Sequence, residues 1–304
     1  MKKILITGAN GLLGQKLVSL LSKQQDVFLL ATARGDCRFS IPESVTYQSL
    51  DITDADACER LFGEFQPDAL IHAAAMTQVD ACEDEREQCD LINVTGVLNL
   101  IKAIGNRNTH FVHISTDFVY KGDEAEYFED SKVHPLSYYG TSKWKSEQLF
   151  KAVKFPYSIL RTVLVYGVLE DLSRSNIVLW AKGALEKGQE INVVDDQYRC
   201  PTLAEDLALA CLQVVREKAI GVYHVSGKDF LSILELVFQI ADYWDLDKSL
   251  IRSIATSSLN QQAKRPPKTK LNLSKAKQSF NYQPKSFREG LVLVDRQIQN
   301  LKLQ

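Results

Sequence analysis

The chain has almost no net charge: 36 Lys and Arg against 38 Asp and Glu leave −2. Nothing in that balance draws it toward nucleic acid or an anionic membrane. No run approaches 18 consecutive apolar residues, so no membrane-spanning helix is expected. Met1-Lys2-Lys3 before Ile4-Leu5-Ile6 resembles the start of a secretion signal, but the apolar run ends after three residues near a glycine turn. There is no Cys-x-x-Cys and no zinc-like His/Cys spacing among the six scattered cysteines (Cys37, Cys58, Cys82, Cys89, Cys200 and Cys211). The expectation is free thiols in a reducing cytoplasm, and no metal. Repeats and low-complexity linkers are also missing. What is present, 45% hydrophobic and 24% charged residues over 304 positions, suits a globular chain of two domains, or one large α/β domain with an appendage.

The run Lys3-Ile4-Leu5-Ile6-Thr7 reads as a buried strand. It enters Gly8-Ala9-Asn10-Gly11-Leu12-Leu13-Gly14, and a helix carrying Leu13, Leu17, Leu20 and Leu21 follows. Strand, glycine turn and helix make the first half of a dinucleotide-binding unit, with the pyrophosphate at the helix N-terminus. The spacing is G-x-x-G-x-x-G rather than G-x-G-x-x-G. Val27 to Ala33 is the second strand. Its end, Ala33-Arg34-Gly35, has no acid for a ribose diol before Asp36, so Arg34 is either a 2′-phosphate contact or a solvated loop residue. Asp51-Ile52 after a third strand is placed near adenine, and Asp54 caps a helix over Ala55 to Phe65. A fourth strand, Ala69 to Ala75, runs into small residues that permit close approach of a flat cofactor, with His72 in the core. The acid-rich stretch Asp80 to Asp90 reads as the solvated start of a helix through about Ile104.

A fifth strand ends in Ser115-Thr116-Asp117-Phe118-Val119-Tyr120, placing hydroxyls where parallel sheets bind ligands. Tyr139 and Lys143, four apart on the next helix, share one face. A phenol has a pKa of about 10, and a fixed ammonium beside it is expected to lower that value for proton transfer. The pair is also an ordinary helix spacing. Tyr157 to Thr162 is a sixth strand. Six alternations of strand and helix predict a Rossmann-type doubly wound parallel sheet over residues 1–166, with 203–226 returning to it. Residues 167–202 and 227–304 are expected to form a smaller, interleaved substrate lobe. Its basic loop Lys264-Arg265-Pro266-Pro267-Lys268 is a solvated connection, or Arg265 clamps a diphosphate. Candidate substrate contacts are Thr116, Asp117, Asn176, Arg199 and Arg265.

With the Gly8–Gly14 turn, Ser115-Thr116-Asp117 and Tyr139-x-x-x-Lys143 in this order, the chain resembles the extended short-chain dehydrogenase/reductases. Further matches at Leu160-Arg161-Thr162, Val165-Tyr166-Gly167, Asp196-Gln197, Pro201-Thr202 and Arg265-Pro266 make it similar to their dTDP-4-dehydrorhamnose reductase group. The resemblance implies an NADPH-preferring reductase (NADH possible) acting on a nucleotide-sugar ketone, as a monomer or homodimer. It implies Thr116, Tyr139 and Lys143 as the catalytic triad. Gly8, Asn10, Gly11, Leu12 and Gly14 would line the pyrophosphate, Asp51, Ile52, Ala73, Ala74 and Ala75 the adenine and ribose, and Asn93 matches an asparagine such enzymes keep. The chain has Val163-Leu164 where reductases of this group typically carry a tryptophan, and Gln15-Lys16 where some relatives place a magnesium-binding acid. Related 4,6-dehydratases follow the threonine with Asp-Glu; here Phe118 follows Asp117, which favours reduction over elimination. Epimerisation, or a cofactor-binding regulatory role like that of the methionine adenosyltransferase beta subunit, are the alternatives.

Overall fold

The computed structural model describes residues 1–170, 175–259 and 261–302. Seven parallel strands form the central sheet: β1 (Lys2–Thr7), β2 (Val27–Ala33), β3 (Val45–Ser49), β4 (Ala69–His72), β5 (His110–Thr116), β6 (Tyr157–Thr162) and the edge strand Gly221–His224. The order is Gly221–His224, β6, β5, β4, β1, β2, β3. This is the doubly wound arrangement, and the order reverses between β1 and β4, where Thr7 pairs with His72. A crevice opens beyond the strand C-termini at that point.

The strands are apolar on both faces because helices cover both. On one face α1 (Leu12–Leu21) and the helix Ala204–Glu217 bury Leu17, Val18, Leu207, Cys211 and Val214 against Ile4, Ile6 and Ala31. On the other, α2 (Ala55–Phe65) and the helix Gly96–Ile104 bury Leu61, Phe62, Val97 and Leu100 against Leu5, Leu70 and Phe111. A further core joins the helices Ile177–Glu186, Ile233–Tyr243 and Phe287–Lys302 around Val178, Leu236, Ile240 and Leu291. The helix Ser274–Phe280 instead packs its Ala276 and Phe280 into the core of the first sheet face.

The stretch after β4 departs from expectation. Asp80 to Ile104 is not one helix with a solvated start. It is a four-residue helix Ala81–Asp84, a break at Glu85, a helix Arg86–Asp90, a π-helical turn Leu91–Thr95, and only then Gly96–Ile104. Some of its acids are used, Asp80 pairing with Arg265 and Glu83 accepting the Tyr138 amide at 2.6 Å, while Glu85 and Glu87 stay exposed as expected. Single π turns inside helices are frequent at functional sites, and this one carries Asn93. Among the described residues, no helix is long and apolar enough to cross a membrane, and no group of three or more His, Cys, Asp or Glu is arranged to hold a metal.

Candidate active site

The crevice is a cavity of about 500 Å³. Gly8 begins its floor with φ +80, and a Cβ there would come within 2.5 Å of the Ala74 amide nitrogen. The glycine therefore lets the turn lie flat on the exit of β4. Helix α1 starts after Gly11 with no side-chain cap and no acid in its first turn. Its first amides keep their donors, and Gly11, Leu12 and Gly14 line the cavity. An uncapped helix N-terminus beside a cleft fits a diphosphate. Ala73, Ala74 and Ala75 form the facing wall.

Thr116, Tyr139 and Lys143 come together where β5 meets the helix Tyr138–Leu149 (α6 below). Ser137 caps α6 by accepting from the Gly140 amide at 3.2 Å. A side chain at 140 would run into the Phe118 carbonyl oxygen and lie 3.1 Å from Pro135 Cβ. Glycine thus allows α6 to rest on the turn after β5. That contact brings the half-buried Tyr139 phenol beside Thr116 and sets its ring edge-on to Phe118 at 5.7 Å. Thr116 donates in turn to Asp117 Oδ1 at 3.2 Å.

Lys143 is 2% exposed, and its Nζ lies 3.5 Å from His113 Nε2. Burial pulls its pKa from 10.5 down to about 8. The expected lowering of the phenol by this ammonium is not what the structure holds. Desolvation pushes the Tyr139 phenol above its ordinary 10, and the Thr116 hydroxyl beside it opposes that only in part. Spacing on a helix put the two side chains on one face, but the depth of the pocket decided the sign.

Asn93 ties the walls together. Its Oδ1 accepts the Met76 amide at 2.8 Å, and its Nδ2 donates to the Met76 carbonyl and to Ser142 Oγ, both at 3.0 Å. Ser142 sits between Tyr139 and Lys143, so this one side chain links the exit of β4 to the catalytic face of α6. Beneath lies a buried ion pair. Arg161 Nη2 reaches Glu147 Oε2 at 2.6 Å while Glu147 Oε1 accepts from Ser115 Oγ at 2.5 Å, locking α6 to β5 and β6.

On the substrate side, Thr116, Asp117, Asn176, Arg199 and Arg265 all border the cavity, yet most are committed within the protein. Asp117 accepts from Thr269 Oγ1 at 2.5 Å and lies 3.7 Å from Arg199 Nε; desolvation raises its carboxyl above the ordinary range. Arg199 is spent on the Tyr198, Pro266 and Pro267 carbonyls. Asn176 caps the helix Ile177–Glu186 and donates to the Gly167 carbonyl at 2.7 Å. Arg265 grips Asp80 with both terminal nitrogens, at 2.6 and 3.2 Å. The loop around it keeps Lys264, Pro267 and Lys268 exposed, as a solvated connection would, but is anchored by the Tyr198 amide bonding the Pro267 carbonyl at 2.7 Å. Leu164, one of the two residues in place of the tryptophan, lines the cavity at φ +39, while Val163 is buried.

Five expected cofactor residues lie outside the cavity lining. Gly8 shapes the turn from beneath. Asn10 turns away from the cleft to donate to the Asp36 carbonyl at 2.9 Å and accept the Arg38 amide at 3.0 Å, so it staples the loop after β2. Arg34 is exposed on that loop. Asp51 accepts from the Thr53 amide and hydroxyl at 2.9 and 2.7 Å, and Ile52 is buried against Gly96. Residues missed in the sequence include Asp80, His113 and Ser142, whose partners lie 30 or more positions away and leave no local signal.

Residues 1–300 match the model of the RmlD substrate binding domain. The chain is 31% identical over 304 residues to dTDP-4-dehydrorhamnose reductase of Aggregatibacter actinomycetemcomitans, covering 96% of this chain and 97% of that one. It is 30% identical to methionine adenosyltransferase 2 subunit beta of Xenopus laevis, over 95% of this chain and 86% of that one. Its structure superposes with a TM-score of 0.83 and 29% identity on dTDP-4-dehydrorhamnose reductase from Bacillus anthracis in complex with NADP, covering 98% and 100% of the two chains. On the full-length match, with the glycine turn and the threonine, tyrosine and lysine meeting on one cleft, this chain belongs to the RmlD substrate binding domain family.

Proposed function

We propose that this chain reduces the 4-keto group of a nucleotide-activated sugar with NADPH, as a cytoplasmic enzyme of the dTDP-4-dehydrorhamnose reductase kind. The observation that carries this reading is the convergence of Thr116, Tyr139 and Lys143 on one cavity. That cavity runs from the uncapped start of α1 to Arg199 and Arg265. Gly11 to Gly14 would hold the diphosphate of the dinucleotide, Ala73 to Ala75 would flank it, and Arg34, exposed on the loop after β2, would take a 2′-phosphate. NADPH held there would supply hydride-transfer chemistry toward the ketone carbon.

Tyr139 donates the proton to the carbonyl oxygen as charge develops there. Its raised phenol pKa keeps it protonated in the resting state, as an acid requires. Thr116, beside the phenol on the same cavity, orients the oxygen. Lys143, one helical turn from Tyr139 on the same cavity, would hold the nicotinamide ribose. Phe118 after Asp117 leaves no second carboxylate for elimination.

Replacing Tyr139 by Phe should keep NADPH binding and cost roughly 10²- to 10⁴-fold in turnover of a dTDP-4-keto sugar. Unchanged turnover would refute the mechanism. NADPH consumed in equal measure to product distinguishes reduction from epimerisation, which regenerates its cofactor. The 30% identity to the methionine adenosyltransferase beta subunit supports a second reading, a regulatory subunit. In that case NADPH binds, no nucleotide sugar turns over, and Tyr139→Phe is silent.

A further inference from the structure

We propose that Cys82 and Cys89 are a reversible disulfide-forming pair, an intramolecular modification site set against the catalytic helix. One continuous helix would hold residues seven apart at roughly 10 Å along its axis. The break at Glu85, with φ −109 and ψ 53, folds the helix Ala81–Asp84 back on Arg86–Asp90. The two sulfurs meet at 2.9 Å, both thiols fully buried.

The pair touches the groups that tie the site together. Cys89 Sγ lies 3.3 Å from Ser142 Oγ and 3.4 Å from Asn93 Nδ2, and Cys82 Sγ lies 3.9 Å from the Met76 carbonyl. Cys89 directs its S–H toward Cys82 and Ser142, and its sulfur accepts from the Asn93 amide. The Asn93 amide N–H, which would stabilise a thiolate at Cys89, makes Cys89 the attacking sulfur and Cys82 the resolving one.

The oxidant is of the hydroperoxide class. Cys89 thiolate attacks one peroxide oxygen, the O–O bond breaks, and Cys89 sulfenic acid and hydroxide form. Cys82 sulfur then displaces the sulfenic hydroxyl as its own proton leaves, giving the S–S bond and water. Two electrons pass from the thiols to peroxide, and an external dithiol reverses the step. Access comes by local opening. The two helices have four and five residues, and positions 84–87 between the cysteines are exposed. Bonded sulfurs stand ~2.05 Å apart, so closure draws Cys89 away from Ser142 and Asn93 and removes both S–H donors. The Met76–Val79 wall and α6 lose part of their common anchor.

The test treats the full reduced chain with hydrogen peroxide and digests it unreduced with trypsin. Cleavage at Arg86 leaves peptides joined through Cys82 and Cys89, lighter by two hydrogen masses, separated by dithiothreitol and absent in Cys82→Ala. Six titratable thiols after treatment, or oxidation confined to other cysteines, overturns the proposal. Oxidation should also speed amide exchange in residues 73–79 and 138–149. A disulfide with unchanged exchange there overturns its link to the site. Resting on the reductase reading, turnover should fall at least threefold in the oxidised chain and not in Cys82→Ala treated alike. A chain with no turnover in either state fails that reading alone, since mass and exchange still decide the disulfide.

Discussion

Lys143 should cost this protein stability, and removing its charge should return it. The side chain is 2% exposed, and its pKa falls from 10.5 to about 8 because burial disfavours the ammonium. At 1.36 kcal/mol for each pH unit, holding it protonated in the fold costs about 3 kcal/mol below pH 8. Lys143→Met keeps a long unbranched stem in the same channel and removes the charge. At pH 7 the variant should be more stable by up to about 3 kcal/mol, less whatever the 3.5 Å contact with His113 contributes. The sign follows from linkage. Between about 8 and about 10.4 the unfolded chain binds the proton and the folded chain does not, so wild-type stability rises with pH across that window. The methionine variant has no such rise. Urea unfolding of both chains at pH 7 and pH 10 should show a gap that is wide at pH 7 and closes at pH 10, while turnover is lost at both. A variant less stable than wild type at pH 7, or a gap that ignores pH, refutes the account of Lys143 as a desolvated ammonium.

Gly140→Ala raises helix propensity yet drives a methyl into the Phe118 carbonyl. A displacement of about 1 Å can cost 10²-fold, so kcat should fall about a hundredfold with NADPH affinity retained, as single-turnover and binding measurements would show. Asp80→Ala removes the carboxylate that aims Arg265 and fixes the Ala263 amide. The KM for the nucleotide sugar should rise roughly tenfold, about 1.4 kcal/mol, with the KM for NADPH unmoved. Arg34→Ala should weaken NADPH by about tenfold or more, the scale of a lost charge-assisted hydrogen bond, and leave NADH unchanged. An equal loss for both cofactors would detach Arg34 from the 2′-phosphate.

Local chemistry alone determined much of this molecule. The strands Val27–Ala33 and Tyr157–Thr162 and the helices Ala55–Phe65 and Ala204–Glu217 lie where hydrophobic period, the Asp54 cap and turn residues place them. Those signals act within a few positions, so one chain carries them without neighbours. The glycine turn and the Tyr139/Lys143 spacing are local in the same sense, and both fall on the one cavity. Tertiary structure decided what the groups there are committed to. Arg265 finds Asp80 at a separation of 185 residues, Asn10 turns to the loop after β2, and Asn176 becomes a cap. A polar side chain bonds whichever complementary group the fold brings within about 3 Å, and no periodicity encodes that choice. The same holds for the acid–base balance of the site. The sequence places an ammonium one helical turn from a phenol, but their protonation follows from how much water the assembled walls exclude. Only the folded cleft, by desolvating both, sets the phenol high and the lysine low.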